Sequence, residues 1–511
     1  MEGTRLQVLQ DIENWILNPK AQQIFWISGK AGMGKTAIAR TVCTLAHDNA
    51  NILLGGSFFC SRSTRVFAQR DVRCVVPTLA QLLARQSTEF SEALAAELKR
   101  DPDILYQQVT EQIKRILYTP LLAIKESPKP ILFVIDALDE CGDQPTSDET
   151  ANSESHRIVS EMLKALVDLF SLPVKPPVKI LVTSRPETHI RDTPVADAAF
   201  SSVLHLHTVN KEQVTADIRR YISTQLSSSK KLQARFTDDD ADMLADMSDG
   251  LFIVATTALN HVLGEGIDSA VSRFRTLLNS ARDGFSSRAA VPLDRMYGLI
   301  LADATRATQA DIDVDELQEI LHLLASLLSA RMPLSIAALA DLLDMDKDEV
   351  RARFSRLHAV VHIPDDDDDP SLRTLHASFG DYLVFRASGD IRVTGSLGHE
   401  VLAQGCLRVL GERLHFNISQ SHSSYESNSE TRPVTVTLAL EYACLQWIYH
   451  VAAASVPSEF DEAINAIFRP RFLFWLEVVS ILRQVSHAAA FLFFASSTVS
   501  HMFIDVAIPL I

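Results

Sequence analysis

The chain lacks most of what would place it quickly. Its six cysteines, Cys43, Cys60, Cys74, Cys141, Cys406 and Cys444, are scattered over 511 residues and form no C-x-x-C pair. That spacing suits a reduced, cytoplasmic protein rather than a disulfide scaffold. Basic charge is not in excess: 48 Lys and Arg against 64 Asp and Glu leave a formal net charge of −16. Nucleic acid is therefore not an expected partner. The opening "MEGTRLQVLQDIENW" has no apolar core run and is not a signal peptide. No internal repeat of fixed period is present. One stretch approaches the length of a membrane span, the terminal "HAAAFLFFASSTVSHMFIDVAIPLI". His501 and Asp505 interrupt it and Ser and Thr dilute it, so residues 488–511 read as a buried or frayed helix and no membrane contact is expected.

What is present is a long globular chain. Hydrophobic residues make up 47% and charged residues 22%, and 511 residues exceed one core, so three or four domains are expected. Leu6, Leu9, Ile12, Trp15 and Ile16 recur at helical spacing over residues 4–17. Between Ile24 and Leu206 the short runs "IFWI", "LLGGSFF", "ILFVID" and "KILVTSR" alternate with helical stretches. Because these runs show no polar alternation, they predict a parallel sheet covered on both faces. The polar stretch 142–155 predicts a surface loop. After Val209 the pattern is helical, save for a hairpin expected where "HAVVHIP" and "LRTLHASF" flank an acidic tip, "DDDDDP".

The segment "FWISGKAGMGKTAIAR" carries the chemistry. Gly29, Lys30, Ala31, Gly32, Met33, Gly34, Lys35 and Thr36, continuing into Ala37, fit the G-x-x-x-x-G-K-T phosphate loop, preceded by a strand and followed by a helix. Glycines let backbone N–H groups turn inward onto phosphate oxygens. Lys35 would place a point charge at the β- and γ-phosphates, Thr36 would offer a hydroxyl to Mg2+, and the helix N-terminus would add positive potential. A metal-side carboxylate follows at the end of "ILFVIDALDE": Asp136 closes an apolar strand, where open α/β sheets bind ligands. Asp139 and Glu140 lie on the exit turn, and one of them would orient or deprotonate the attacking water. "KILVTSRPE" brings Thr183, Ser184 and Arg185 to the same sheet edge. Pro186 biases Arg185 to extended backbone, and its guanidinium suits a γ-phosphate.

In this order "GTR", "IFWISGKAGMGKTAIART", "FFCSR", "ILFVIDALDE" and "KILVTSRPE" resemble the NACHT class of STAND NTPases, and more narrowly the fungal group with nephrocystin-like NACHT regions. Later segments, "MSDGLFIVATTAL", "MPLSIAALADLL" and "LRTLHASFGDYL", extend the resemblance over nearly residues 3–485. It implies a leading helix (1–20), an α/β P-loop domain with a parallel sheet (21–209), a small helical domain (210–290), a winged-helix domain (291–390) and a C-terminal helical region (391–511). It implies a slow NTPase switch that rests with ADP, opens and self-oligomerises with ATP and Mg2+, engages further protein partners, and serves innate immunity or regulated cell death. By the same resemblance His376, in "LHASF", would touch the ADP phosphate. The sequence departs from the wider class at Gly250-Leu251-Phe252-Ile253, where many relatives carry a proline at the base pocket; the choice between ATP and GTP therefore stays open. An effector segment before "GTR" and a repeat array after the helices, usual in the group, are not found, so the chain reads as a shortened product. Two other classes compete with the switch: a catalytic P-loop enzyme such as a kinase or motor, and a scaffold that has lost its nucleotide chemistry.

Overall fold

The computed structural model describes residues 3–61, 69, 71–124, 129–141, 149–170, 172, 176–228, 230–264, 267–284, 292–305, 314–387, 389–421 and 435–485. The apolar stretch 488–511 and the first half of the expected loop, 142–148, lie outside them. The chain divides into two units, Met1–Tyr297 and Gly298–Ile511.

The first unit is built on five parallel strands: β1 (Ile24–Ser28), β2 (Leu53–Phe59), β3 (Ile131–Asp136), β4 (Val178–Ser184) and β5 (Ser201–His205). Their order is β2-β3-β4-β1-β5. β1 and β3 are thus not neighbours. β4 runs between them, with Trp26 opposite Val182 on one side and Phe133 opposite Ile180 on the other. Successive side chains of a strand point to opposite faces, and here both faces are covered. Phe25, Ile27, Leu132, Val134 and Leu181 pack with α1 (Leu6–Leu17) and α2 (Lys35–Asp48) in one core. Ile24, Trp26, Ile131, Phe133, Ile135, Ile180 and Val182 pack into a second core, with the helices Val75–Ala84 and Glu149–Phe170. This double burial is the physical reason the strand sequences show no polar alternation.

Two sequence expectations are corrected. The polar stretch 142–155 is not a loop throughout: the helix Glu149–Phe170 starts inside it. The apolar positions Val159, Met162, Leu163 and Leu166 are all fully buried and anchor that helix. A fifth strand, Ser201–His205, also joins the sheet beyond β1.

Helices follow β5: Lys211–Leu226, Asp238–Met247, Phe252–Leu263 and Ile267–Gly284. The helix Asp238–Met247 opens with a capping box, Thr237 and Asp240 each bonding the other's backbone N–H.

In the second unit, the helices Val314–Ser329, Ile336–Leu343 and Lys347–Ser355 precede a short antiparallel pair, Val361–His362 with Arg373–Thr374. The acidic tip is not simply solvated, because Asp367 pairs with Arg351 and its carbonyl accepts from Ala337 N–H at 3.0 Å. Among the described residues the rest of this unit is mainly helical, with Gly395–Arg413, Leu438–Ala452 and Asp461–Ile481 the long elements. Among the described residues no helix is long and apolar enough to cross a membrane.

Candidate functional site

The loop after β1 turns sharply at two glycines, Gly32 (φ +78°) and Gly34 (φ +88°), before α2 begins at Lys35. These angles are open to glycine and costly to other residues. Gly29 N–H donates to Ser184 O at 3.2 Å, and the Ser184 hydroxyl accepts from the buried Trp26 indole at 2.8 Å, so the loop starts from a fixed point on β4. Lys35 Nζ donates to two carbonyls of its own loop, Gly29 O at 2.7 Å and Lys30 O at 3.1 Å. Burial pushes its pKa below the usual lysine value. The Asp139, Asp136 and Glu140 carboxylates oppose that shift, and the Arg185 guanidinium adds to it.

Asp136, 1% exposed, closes β3. Thr183 on β4 donates its hydroxyl to Asp136 Oδ1 at 2.6 Å and accepts from Ala137 N–H at 3.0 Å. Ala137 holds a left-handed φ of +52°, which bends the chain into the tight turn Leu138–Glu140. Burial raises the Asp136 pKa, while hydrogen bonds from Thr183 and Thr36 act the other way. The contact between Thr36 and Asp136 places a hydroxyl and a carboxylate side by side, a hard oxygen pair suited to Mg2+. Together with the glycine turn and Lys35, these groups fit a magnesium-bound triphosphate.

The exit turn separates its two acids. Asp139 is 3% exposed and accepts from Arg185 N–H at Oδ1 (2.9 Å) and from Arg185 Nε at Oδ2 (3.2 Å). Glu140, next along, is half-buried. Sequence spacing had brought Asp139, Glu140 and Arg185 to one edge; their pairing was not legible there.

Three groups make contacts that the sequence reading did not foresee. Arg5, 6% exposed, donates through Nη2 to Met33 O at 3.2 Å, and its backbone N–H bonds Asp217 at 2.9 Å. Its Nε and Nη1 are buried without a hydrogen-bond partner. Phe252 lies beneath the Arg5 guanidinium, 5.5 Å from its ring centre. Ile253 donates its N–H to Gly32 O at 3.2 Å. A helix from the region after β5 thus sits directly on the phosphate loop, and a Cβ at Gly32 would fall 1.9 Å from Ile253 Cγ2. Arg5 stood in "GTR", and Phe252 and Ile253 in the stretch matched to the base pocket of relatives, but their contacts with Arg5 and Gly32 span more than 200 residues and leave no local pattern.

His376 belongs to the second unit and caps the short helix Ala377–Asp381. Its Nδ1 lies 2.6 Å from Ser378 Oγ and accepts from Ser378 N–H at 3.1 Å.

Residues 3–185 match the family model described as nephrocystin 3, N-terminal. The segment is nephrocystin-like. The resemblance drawn from the motifs therefore holds at that level. The nephrocystin-like segment runs from Gly3 through β4 to Arg185, and so contains the phosphate loop, Asp136 and the exit turn, but not Phe252 or Ile253. No curated protein matches the chain. Among solved structures, a STAND protein with a tetratricopeptide repeat sensor from Pyrococcus horikoshii aligns at 13% identity and TM-score 0.38, over 93% of this chain and 57% of that one. Cdc6p from Pyrobaculum aerophilum aligns at 12% and 0.31, over 79% and 94%. The Drosophila ORC, solved bound to DNA, aligns at 12% and 0.31, over 76% and 89%.

Proposed function

We propose that the chain is an ATP-dependent switch of the STAND class, a slow cytoplasmic NTPase that rests with ADP and self-assembles with ATP in fungal non-self recognition or regulated cell death. The observation that carries this reading is the main-chain bond from Ile253 N–H to Gly32 O, together with Phe252 against Arg5. A phosphate loop bonded to a neighbouring helix ties the filling of the pocket to the position of that helix, and a switch needs that coupling.

In this reading residues Gly29 to Ala37 cradle the phosphates and Lys35 supplies a cation. Thr36 and Asp136 would hold Mg2+, which would neutralise phosphate charge. Arg185 faces the γ-phosphate. Asp139 spends both oxygens on holding Arg185, which leaves the orientation of water to Glu140. Arg5, with two buried N–H groups in want of acceptors, suits the base or ribose of the nucleotide.

The test is mass spectrometry of nucleotide released from purified protein. ADP is expected at close to one equivalent from the wild type and none from Lys35→Ala. Wild-type stoichiometry in that variant would overturn the reading. Gly32→Ala probes the coupling itself: with φ at +78° and Ile253 in the way, the helix Phe252–Leu263 is expected to leave the loop, with loss of bound ADP and new protease cleavage near Gly250.

A further inference from the structure

Two thiols meet behind the acidic turn and take no part in the chemistry above. Cys60 follows β2, Cys141 follows the turn Leu138–Glu140, and their sulfurs lie 2.7 Å apart. Both are free and buried, 4% and 3% exposed. The backbone is already joined here, with Cys60 N–H donating to Asp136 O at 3.0 Å. One edge of the pair therefore touches the strand end that carries the metal-side carboxylate. The other ends the turn that carries Asp139 and Glu140. Ala137, at the head of this turn, is held at a positive φ. Such a residue stays in place only while its surroundings hold it there, so a bond at the far end of the turn bears on how firmly it is held.

We propose that Cys60 and Cys141 are a modification site, an oxidisable dithiol whose reversible disulfide pins the acidic turn to β2 and slows nucleotide turnover. The co-reactant is a small peroxide. One sulfur attacks a peroxide oxygen; an S–O bond forms as the O–O bond breaks, and the departing hydroxide takes the thiol proton and leaves as water. The second sulfur then attacks the sulfenic acid; the S–S bond forms, the S–O bond breaks, and a second water leaves. Two electrons pass from the two thiols to one peroxide, and an added dithiol reverses the step by exchange.

The consequence for turnover rests on the NTPase reading, but the site itself does not. The full chain is treated with hydrogen peroxide and then with dithiothreitol. Peptide mapping reads the bond, hydrogen exchange over residues 137–141 reads the turn, and phosphate release reads turnover. A Cys60–Cys141 cross-linked peptide is expected, with amide exchange in the turn slowed roughly tenfold, turnover lowered, and all three restored by dithiol. Cys60→Ser and Cys141→Ser should each abolish the response, so either one that folds is sufficient. The proposal is overturned if Cys43 and Cys74 oxidise while the pair stays reduced. A cross-link that leaves amide exchange unchanged overturns it as well. If reduced protein neither binds nor hydrolyses nucleotide, the NTPase reading fails, and the peptide map and amide exchange still decide whether the site exists.

Discussion

Two lysines, Lys179 buried and Lys35 half-buried, sit at opposite ends of one sheet, and they are spent differently. Lys179, the second residue of β4, gives its ammonium to three carbonyls, Asn18 O and Ala21 O at 2.9 Å and Gln22 O at 3.2 Å, and lies 5.3 Å over the Trp15 ring. An ammonium has three N–H groups, so this one is saturated and acts as a clamp on the stretch between α1 and β1. Lys35 gives two bonds, both to its own loop, and stands among Asp136, Asp139 and Glu140. Cavity size points the wrong way. About 610 Å3 opens beside Lys179, lined by Pro19, Pro130, Pro176, Pro177, Phe170 and Phe200, against about 20 Å3 beside Arg5 and Phe252. Unspent donor capacity next to convergent charge, rather than volume, marks the functional end.

The largest effect should follow from removing the unsaturated lysine. Lys35→Ala loses charge-assisted contacts worth roughly 1.5–3 kcal/mol each, so two of them amount to about 100- to 10,000-fold in triphosphate affinity. Melting temperature without nucleotide should stay near wild type. Calorimetric titration with ATP and Mg2+ checks the first, a thermal scan the second. A large loss of stability with affinity intact would make Lys35 a clamp like Lys179 and erase the contrast.

The two acids of the exit turn give a second contrast. Both oxygens of Asp139 accept from Arg185, so Glu140→Gln should lower hydrolysis by about 100-fold or more, the usual scale for losing a positioned acid–base group, while affinity changes little. Single-turnover phosphate release decides it. A larger loss from Asp139→Asn with Arg185 still in place would return the water to Asp139.

At the other end, Lys179→Met should leave nucleotide affinity untouched and cost roughly 3 kcal/mol of stability, because three carbonyls lose their donor at once. The pH profile sharpens this. Burial brings the folded pKa of Lys179 down to about 8 from 10.5. Between those values the unfolded chain holds more protons, so wild-type stability should rise with pH there. Lys179→Met should flatten that rise, and urea melts at pH 8 and 10 would show it. An unchanged slope would mean that the three carbonyls, which favour the charged form, outweigh burial.

How much of this was legible depends on the range of the interaction. The phosphate loop is a contiguous pattern whose geometry follows from its own glycines, so Gly29 to Thr36 could be placed from sequence. β1 to β4 were visible as apolar runs because burial on both faces removes polar alternation. β5 was not, because "SSVLH" opens on two serines, presents only two apolar residues and has a half-buried middle. The helix start at Glu149 was masked by a composition, "SDETANSES", that suits loops and exposed first turns equally. The contacts that complete the site, Arg5 with Met33, Ile253 with Gly32 and Cys60 with Cys141, join residues 28, 221 and 81 apart. Nothing in local propensity encodes such pairings, since they exist only once distant segments have come together around the sheet.

The smallest effect tests whether the nucleotide end carries a built-in cost. Burial raises the Asp136 pKa above 3.8, so the folded chain holds its proton more readily than the unfolded one, and stability falls as pH climbs through the window just above 3.8. At neutral pH the ionised Asp136 is then a destabilising residue kept for its ligand. Asp136→Asn preserves an oxygen for the Thr183 hydroxyl, now 2.6 Å away, and removes the charge. Without nucleotide it should stabilise the fold by about 1 kcal/mol, within the range found on relieving functional sites. Addition of ATP and Mg2+ should stabilise the wild type further and leave the variant almost unmoved. Thermal scans at pH 7 with and without the ligand give both differences. A variant less stable than wild type in the absence of nucleotide would mean that Thr183 and Thr36 already compensate the charge in full. The two ends of the sheet would then be alike in carrying saturated groups.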